Sequence, residues 1–368
     1  MEFDVLHPQL VHIGGRCYRK YTTNTASREE DEYIRPYQEE EYDDRDVYCD
    51  EICGVDVNVE QTEKGYRSKM DVPSAYFKFI IGKKGETKRK LEYETKTQIR
   101  IPRQGQEGDI VIHGQDRKGV VSARTRIEVM VDSARQRLPF THFLSLPVNG
   151  QKIKDAFLDF KADVLRECDG DRGIVPAVFQ NPDKLHLTLG IMALMNESEV
   201  TKATDLLQQC REDLVNPILK GEPLDAIIQG LEYMNDEPGK VNVLYANVML
   251  QDGSDRLQVL ADRIKDRFVS AGLLKKDSYE RVKLHVTLMN AKFIGDARKE
   301  IASKSQDVRQ QEQLPFSGER EYFDATNVLR MFRDYKFGEH LIDSIHISQR
   351  GFYDKDGYYT AAAKVPLT

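Results

Sequence analysis

The chain has 368 residues, 40% hydrophobic and 31% charged, with a mean hydropathy of −0.58. That is long enough for two domains with separate cores, and no apolar run approaches the roughly 20 residues of a membrane span. The start, Met-Glu-Phe-Asp-Val-Leu-His-Pro, lacks the basic flank and apolar stretch of a secretory signal, so an intracellular protein is expected. Five scattered cysteines (Cys17, Cys49, Cys53, Cys168, Cys210) argue against a disulfide framework and for reduced thiols in cytosol or nucleus. Cys49 and Cys53 have no second pair to complete a zinc site. The net charge of −7 argues against a nucleic-acid partner until its distribution is considered. Between Glu29 and Glu51 twelve acids face only Arg35 and Arg45, which leaves the rest of the chain at +3.

Residues 1–60 read as an N-terminal segment. Pro8 to Lys20 is a short mixed stretch, too small to fold alone. The acidic, tyrosine-dotted run after it has almost no aliphatic side chains and cannot offset its ordering entropy. A disordered tether with a short interaction segment, or simply a solvated tail, is expected there.

The composition turns globular near Gly65. Ala75 to Ile81 runs into Gly82-Lys83-Lys84-Gly85 and then a helix former's stretch, Glu86 to Thr95. Gln98 to Ile101 and Asp109 to Ile112 read as short strands separated by turn residues. Val120, Ala123, Ile127, Met130, Val131 and Ala134, three and four apart, draw one apolar helix stripe. The order helix, GxxG, helix, strand, strand, helix resembles a KH domain of the eukaryotic type over 61–137. In such a domain Gly82 and Gly85 let the backbone approach a sugar-phosphate chain. Lys83, Lys84, Lys88 and Arg100 supply charge, within a Gly82–Arg103 stretch of net +5.

Residues 138–368 read as a second domain, entered through a strand near 138–150 with no long linker. An amphipathic helix follows (Ile153, Ala156, Phe157, Phe160, Val164, Leu165), then the strand Lys184-Leu185-His186-Leu187-Thr188-Leu189. A helix (Val200 to Cys210), strands near 226–228 and over 241–250, and a helix (Leu257 to Phe268) lead to Lys283-Leu284-His285-Val286-Thr287-Leu288. Each copy of the motif thus follows a long helix, as a duplicated unit would. Ile345-His346-Ile347-Ser348 also alternates but lacks the flanking Lys-Leu and Leu. It reads as an ordinary closing strand, and His346 and His142 as structural histidines.

In both motif copies the apolar residues alternate, which marks a half-buried strand whose leucines face the core. His186 and Thr188 then share the other face, as do His285 and Thr287. Strand propensity asks for β-branched residues, not for a repeated histidine. Two imidazoles on one cleft could move both protons of a phosphoester cleavage, one taking and one giving. The threonine hydroxyls could donate to the non-bridging oxygens. No metal or cofactor is implied, since no Asp, Glu or Cys occupies matching positions beside either histidine, and there is no G-x-S-x-G.

The doubled H-x-T resembles the 2H phosphoesterase superfamily. The resemblance implies an α+β chain: a KH type I domain (βααββα), then a two-lobed, pseudo-symmetric 2H domain with antiparallel strands and outer helices. It also implies that His186 and His285 act as acid and base while Thr188 and Thr287 grip the phosphate. With the KH domain in front, the layout is similar to a family of nuclear cointegrator-complex subunits. That similarity implies single-stranded RNA or DNA and further subunits, a helicase among them, as partners, in transcription and in repair of alkylated nucleic acid. The alternative expectation is a non-catalytic scaffold subunit whose 2H cleft only binds phosphate.

Overall fold

The structure is a computed structural model in which residues 9–13, 16–20, 59–103, 106, 108–234, 236–275, 280–295 and 322–367 are described. Most of the expected tether, residues 21–58, lies outside them, as do Cys49 and Cys53. The chain divides into two units, Met1–Asn58 and Val59–Thr368. In the first, β1 (Gln9–Ile13) pairs antiparallel with β2 (Arg16–Lys20).

The second unit begins with a hairpin, β3 (Val59–Thr62) and β4 (Gly65–Met70). Next come α1 (Phe77–Ile81), α2 (Glu86–Thr95), β5 (Thr97–Arg100), β6 (Ile110–Gly114) and α3 (Arg117–Arg137). From β4 onward this is the expected βααββα order, with the antiparallel sheet ordered β3-β4-β6-β5. The apolar stripe of α3 buries Val120, Ala123 and Ile127 against Ile80, Leu91, Ile99, Ile110 and Ile112 in one cluster. Arg135 and Arg137 in its last turn complement the negative end of the helix dipole.

The remainder contains β7 (His142–Pro147), α4 (Gln151–Glu167), β8 (His186–Met192), α5 (Glu197–Cys210), α6 (Asn216–Leu219) and β9 (Asp225–Tyr233). After these come β10 (Val243–Leu250), α7 (Arg256–Ser270), β11 (His285–Asn290), the short helix Thr326–Phe332, β12 (Lys336–Leu341), β13 (Ser344–Tyr353) and β14 (Tyr359–Pro366). Eight strands form one sheet in the order β12-β9-β10-β11-β8-β7-β13-β14. The α+β class and the two-lobed antiparallel architecture are as expected.

The sheet reads as two four-stranded halves that meet where β11 lies beside β8. The duplicated unit is strand, helix, motif strand: β7-α4-β8 and β10-α7-β11. Each copy carries a bulge at the equivalent place. Leu144 faces Gly190 while Ser145 faces Thr188, so Leu189 is the extra residue. Leu244 faces Met289 while Tyr245 faces Thr287, so Leu288 is extra. In both, the bulge falls on the leucine that closes the motif.

The helices are exchanged between the halves. The first repeat's α4 lies against β12, and its Phe160 ring packs on Phe332, Tyr335 and Phe337 of the second half at 5.8, 5.2 and 5.4 Å. The second repeat's α7 lies against β8. Just beyond it, Leu274 bridges Met192 and comes so close to Gly190 that a Cβ there would meet its side chain at 2.6 Å.

One expectation needs correction. The strand carrying His346 does not close the chain's sheet: β13 is internal, between β7 and β14. The Ala361-Ala362-Ala363 stretch in β14 gives too little hydrophobic contrast for the alternation to show in the sequence. His346 is nevertheless buried, with Nε2 3.0 Å from the Ser344 hydroxyl. His142 is held by the Thr141 hydroxyl at 2.9 Å.

A buried ion pair joins the KH block to the large sheet. The Arg135 guanidinium pairs with the Glu199 carboxylate, donates to the Ala193 carbonyl at 2.8 Å, and lies 5.3 Å from the Tyr76 ring centre. The second Glu199 oxygen accepts from the Met195 amide at 2.7 Å, and the Tyr76 hydroxyl donates to the Ala193 carbonyl at 3.3 Å. With both charges hydrogen-bonded, the pair meets the condition under which a buried ion pair is tolerated.

Candidate active site and nucleic-acid interface

Strand alternation positions the first candidate site. Leu185, Leu187, Leu189, Val286 and Leu288 are buried in the main core, while His186, Thr188, His285 and Thr287 are half-buried on the opposite face. The seam between β8 and β11 holds one antiparallel pair, Val286 with Leu187. Counting outward from it brings His285 towards Thr188 and His186 towards Thr287. The structure therefore gathers all four residues, with each histidine set across the seam from the other motif's threonine.

Backbone carbonyls fix both tautomers. His186 Nδ1 lies 2.7 Å from the Lys184 oxygen, and His285 Nδ1 lies 2.6 Å from the Lys283 oxygen. A carbonyl can only accept, so each Nδ1 carries the hydrogen and each Nε2 is left for a ligand. Burial lowers both imidazole pKa values. His186 falls to about 4, the Lys184 carbonyl bond partly opposing and the charge of His285 adding to the drop. His285 falls too, through burial and then the positive charge of Lys283, again against its carbonyl bond.

The two imidazoles have different neighbours. The rings of Phe143 and Tyr359 lie 5.1 and 5.6 Å from His186. His285 has Tyr245 at 5.2 Å, whose hydroxyl donates to the Glu232 carboxylate at 2.7 Å. That bond holds the Glu232 carboxyl below the usual carboxylate range. Behind Thr188, the Ser145 hydroxyl meets those of Ser348 (2.9 Å) and Tyr358 (3.1 Å). The motif lysines also lie over rings: the Lys184 ammonium is 3.5 Å from the Tyr353 centre, and that of Lys283 is 4.6 Å from Tyr245.

The sequence reading missed Phe143, Tyr359, Tyr245 and Glu232. They sit on strands remote from the motifs, and only the ladder β12-β9-β10-β11-β8-β7-β13-β14 brings them alongside. Among the described residues, no three His, Cys, Asp or Glu side chains converge as metal ligands would.

The second candidate site is the turn between α1 and α2. Gly82 ends α1 at φ +71°, and a Cβ there would lie 2.0 Å from the Thr87 hydroxyl, so glycine is required. Lys83 and Lys84 are exposed on the turn, and Gly85 forms the N-cap of α2. Arg89 braces the loop from within α2, donating to the carbonyls of Lys84 (2.7 Å) and Gly85 (3.3 Å). The amides of Gly82 and Gly85 are spent within the turn, donating to the carbonyls of Lys78 (3.0 Å) and Gly82 (3.2 Å). Lys88 pairs with Glu92 at 3.3 Å rather than standing free. Arg100 is exposed on β5, opposite Val111 of β6.

Residues 140–367 match the family described as the AKAP7 2′5′ RNA ligase-like domain, and residues 67–129 match the KH domain family. The Mus musculus protein "Activating signal cointegrator 1 complex subunit 1" is 45% identical over 365 residues, covering 99% of this chain and 100% of its own. An uncharacterized protein of Schizosaccharomyces pombe is 22% identical over 235 residues, 63% of this chain and 98% of its own. Among solved structures, the TT0787 protein of Thermus thermophilus is 18% identical with a TM-score of 0.36, over 62% of this chain and 97% of that one.

Proposed function

This chain belongs to the AKAP7 2′5′ RNA ligase-like branch of the two-histidine phosphoesterases, with a KH domain ahead of it, and from that premise we propose that its paired motifs cleave a phosphodiester without a metal. The observation that carries the reading is the pair of matched Nδ1 to carbonyl bonds, which leave two Nε2 atoms for one ligand. His186, packed against Phe143 and Tyr359, is the group that stays neutral and takes the proton from the attacking hydroxyl or water. His285 then gives a proton to the departing oxygen. The hydroxyls of Thr188 and Thr287 donate to the non-bridging oxygens, where negative charge must be held.

The test is turnover by the purified full chain in EDTA, with nucleoside 2′,3′-cyclic phosphates and short oligonucleotides as substrates. Product from either supports the reading, and absence of product from both sinks it. The alternative is a scaffold whose cleft binds phosphate without turnover. The lowered pKa values of both histidines favour it, since burial works against the protonated imidazole that the acid step needs.

We place the KH turn, Gly82 to Gly85, on the phosphates of a single strand. Lys83 and Lys84 are the contacts, with Arg100 along the same strand and Lys88 in a lesser role because of Glu92. Changing Lys83 and Lys84 to Asp should reduce the slope of log affinity against log salt by about 1.4, two contacts at roughly 0.7 each. An unchanged slope would assign this turn to another partner. The name of the mouse relative makes that protein a complex subunit, and we assign the same setting to this chain. A helicase partner, a nuclear location and a part in alkylation repair rest on the resemblance alone.

A further inference from the structure

Directly across the ladder from each motif threonine lies a buried residue with a hydroxyl. Ser145 faces Thr188 and Tyr245 faces Thr287, with 0% and 1% of their surface exposed. These are equivalent positions of the two repeats, and their partners differ. Ser145 meets other hydroxyls, those of Ser348 and Tyr358, each able to donate or accept. Tyr245 is flanked on its other side by Glu232 of β9, and its hydroxyl donates to that carboxylate at 2.7 Å. The same ring lies 5.2 Å from His285, at 69° to it, and the Lys283 ammonium is 4.6 Å from its centre.

A buried phenol needs a partner, and the buried Tyr358 shows that a serine is enough. The carboxylate on Tyr245 does more, because it places an anion one ring away from an imidazole that must become a cation. The Tyr245 bond holds the Glu232 carboxyl below its usual range, so it carries its charge at neutral pH. A phenol that donates to a carboxylate gains electron density in its ring, and such a ring attracts cations. Lys283 already lies over it. We propose that Glu232 is a positioning residue for the acid step: through Tyr245 it holds a polarised ring against His285 and Lys283 and favours the imidazolium that donates to the departing oxygen. The charged and titratable groups around His285 are His186 across the seam, Lys283 two residues earlier in the chain and Tyr245 on β10, with Arg333 near Glu232. Of these, Glu232 alone is an anion, so it opposes the charge of Lys283. The rings beside His186, Phe143 and Tyr359, have no carboxylate bonded to them among the described residues.

The inference rests on reading His285 as the acid, and its test separates the two. Glu232→Gln keeps an acceptor for the phenol and removes the charge. In the full chain it should move the falling limb of the kcat/KM profile to lower pH and leave the rising limb in place. At neutral pH the loss should be roughly 2- to 30-fold, the range that one cation and ring interaction supplies. Tyr245→Phe, which keeps the ring and loses the bond, should move the same limb the same way. The double variant should be no worse than the poorer single one, because Glu232 acts through Tyr245. An NMR titration of the His285 ring reads the same shift without turnover. A loss that is equal at every pH, with the His285 titration unmoved, would make Glu232 a merely structural partner and overturn the proposal while leaving the catalytic reading intact. A protein that turns over no substrate, but whose His285 titrates at lower pH in Glu232→Gln, would keep the coupling and remove the catalytic reading.

Discussion

The two motif strands share a backbone arrangement and differ in surroundings. β8 and β11 each bear a histidine locked by the carbonyl two residues earlier, a threonine on the same face, and a bulge on the next leucine. Around that common frame, His186 is packed among the rings of Phe143 and Tyr359, whereas His285 has the Tyr245–Glu232 pair and Lys283 for company. A duplicated strand can thus keep its geometry, which hydrogen bonds and register dictate, while the strands beside it set the protonation preference of each copy. Identical motifs need not have identical roles.

The largest expected effect tests what the halves share. His186→Ala or His285→Ala should each lower kcat by about 10²–10⁴-fold, the usual contribution of a general acid or base. The double variant should lose far less than the product of the two, because residues acting in one proton cycle are not additive. Measured multiplicative losses would mean that the histidines act independently. Next in size, Thr188→Val and Thr287→Val remove a donor while keeping the branched shape. Each should cost up to about 10²–10³-fold, as loss of an oxyanion donor does, with a smaller change in KM. A loss confined to KM would reduce the threonines to substrate binding.

The pH profile tests where the halves differ. With His186 as base, kcat/KM should rise through about pH 4 as that imidazole loses its proton. It should fall at a pH below the ordinary histidine value of 6.5 as His285 loses the proton it must donate. A rising limb near pH 6.5 would contradict the packing argument for His186. The smallest effect isolates one cause. Lys283 lowers the pKa of His285, so Lys283→Met should move the falling limb to higher pH and leave the rising limb in place. Movement of the rising limb instead would exchange the roles of the two histidines.

Much of this frame is legible in the sequence because it is written in period two. Alternation places the histidines and threonines on one face and the leucines on the other, and the spacing of Gly82 and Gly85 marks the KH turn. The missing parts lack a local signature. Phe143 and Tyr359 reach His186 only through β7 and the β13–β14 hairpin, and Tyr245 meets Glu232 only through strand register. The bulges leave no mark on a sequence whose leucines would be buried with or without them. His346 reads as lying on the closing strand because three successive alanines interrupt the alternation of the strand after it. The buried pairing of Arg135 with Glu199 joins two residues that look like surface charges on amphipathic helices.

The exchange of helices bears on how such a chain is made. Because α4 lies against β12, the first repeat leaves the ribosome with Phe179 against Phe160 but with the rest of that ring's bed missing until Phe332, Tyr335 and Phe337 arrive. The Tyr335 hydroxyl closes on the Ala156 carbonyl across 179 residues of chain. Contacts so distant in sequence slow folding, since the loop must close before they contribute. One repeat expressed alone would present an apolar helix and an open strand edge, the combination that drives dimerisation or aggregation. Two such fragments exchanging helices would rebuild the seam from separate chains, which makes each half of this sheet the natural partner of a second copy of itself.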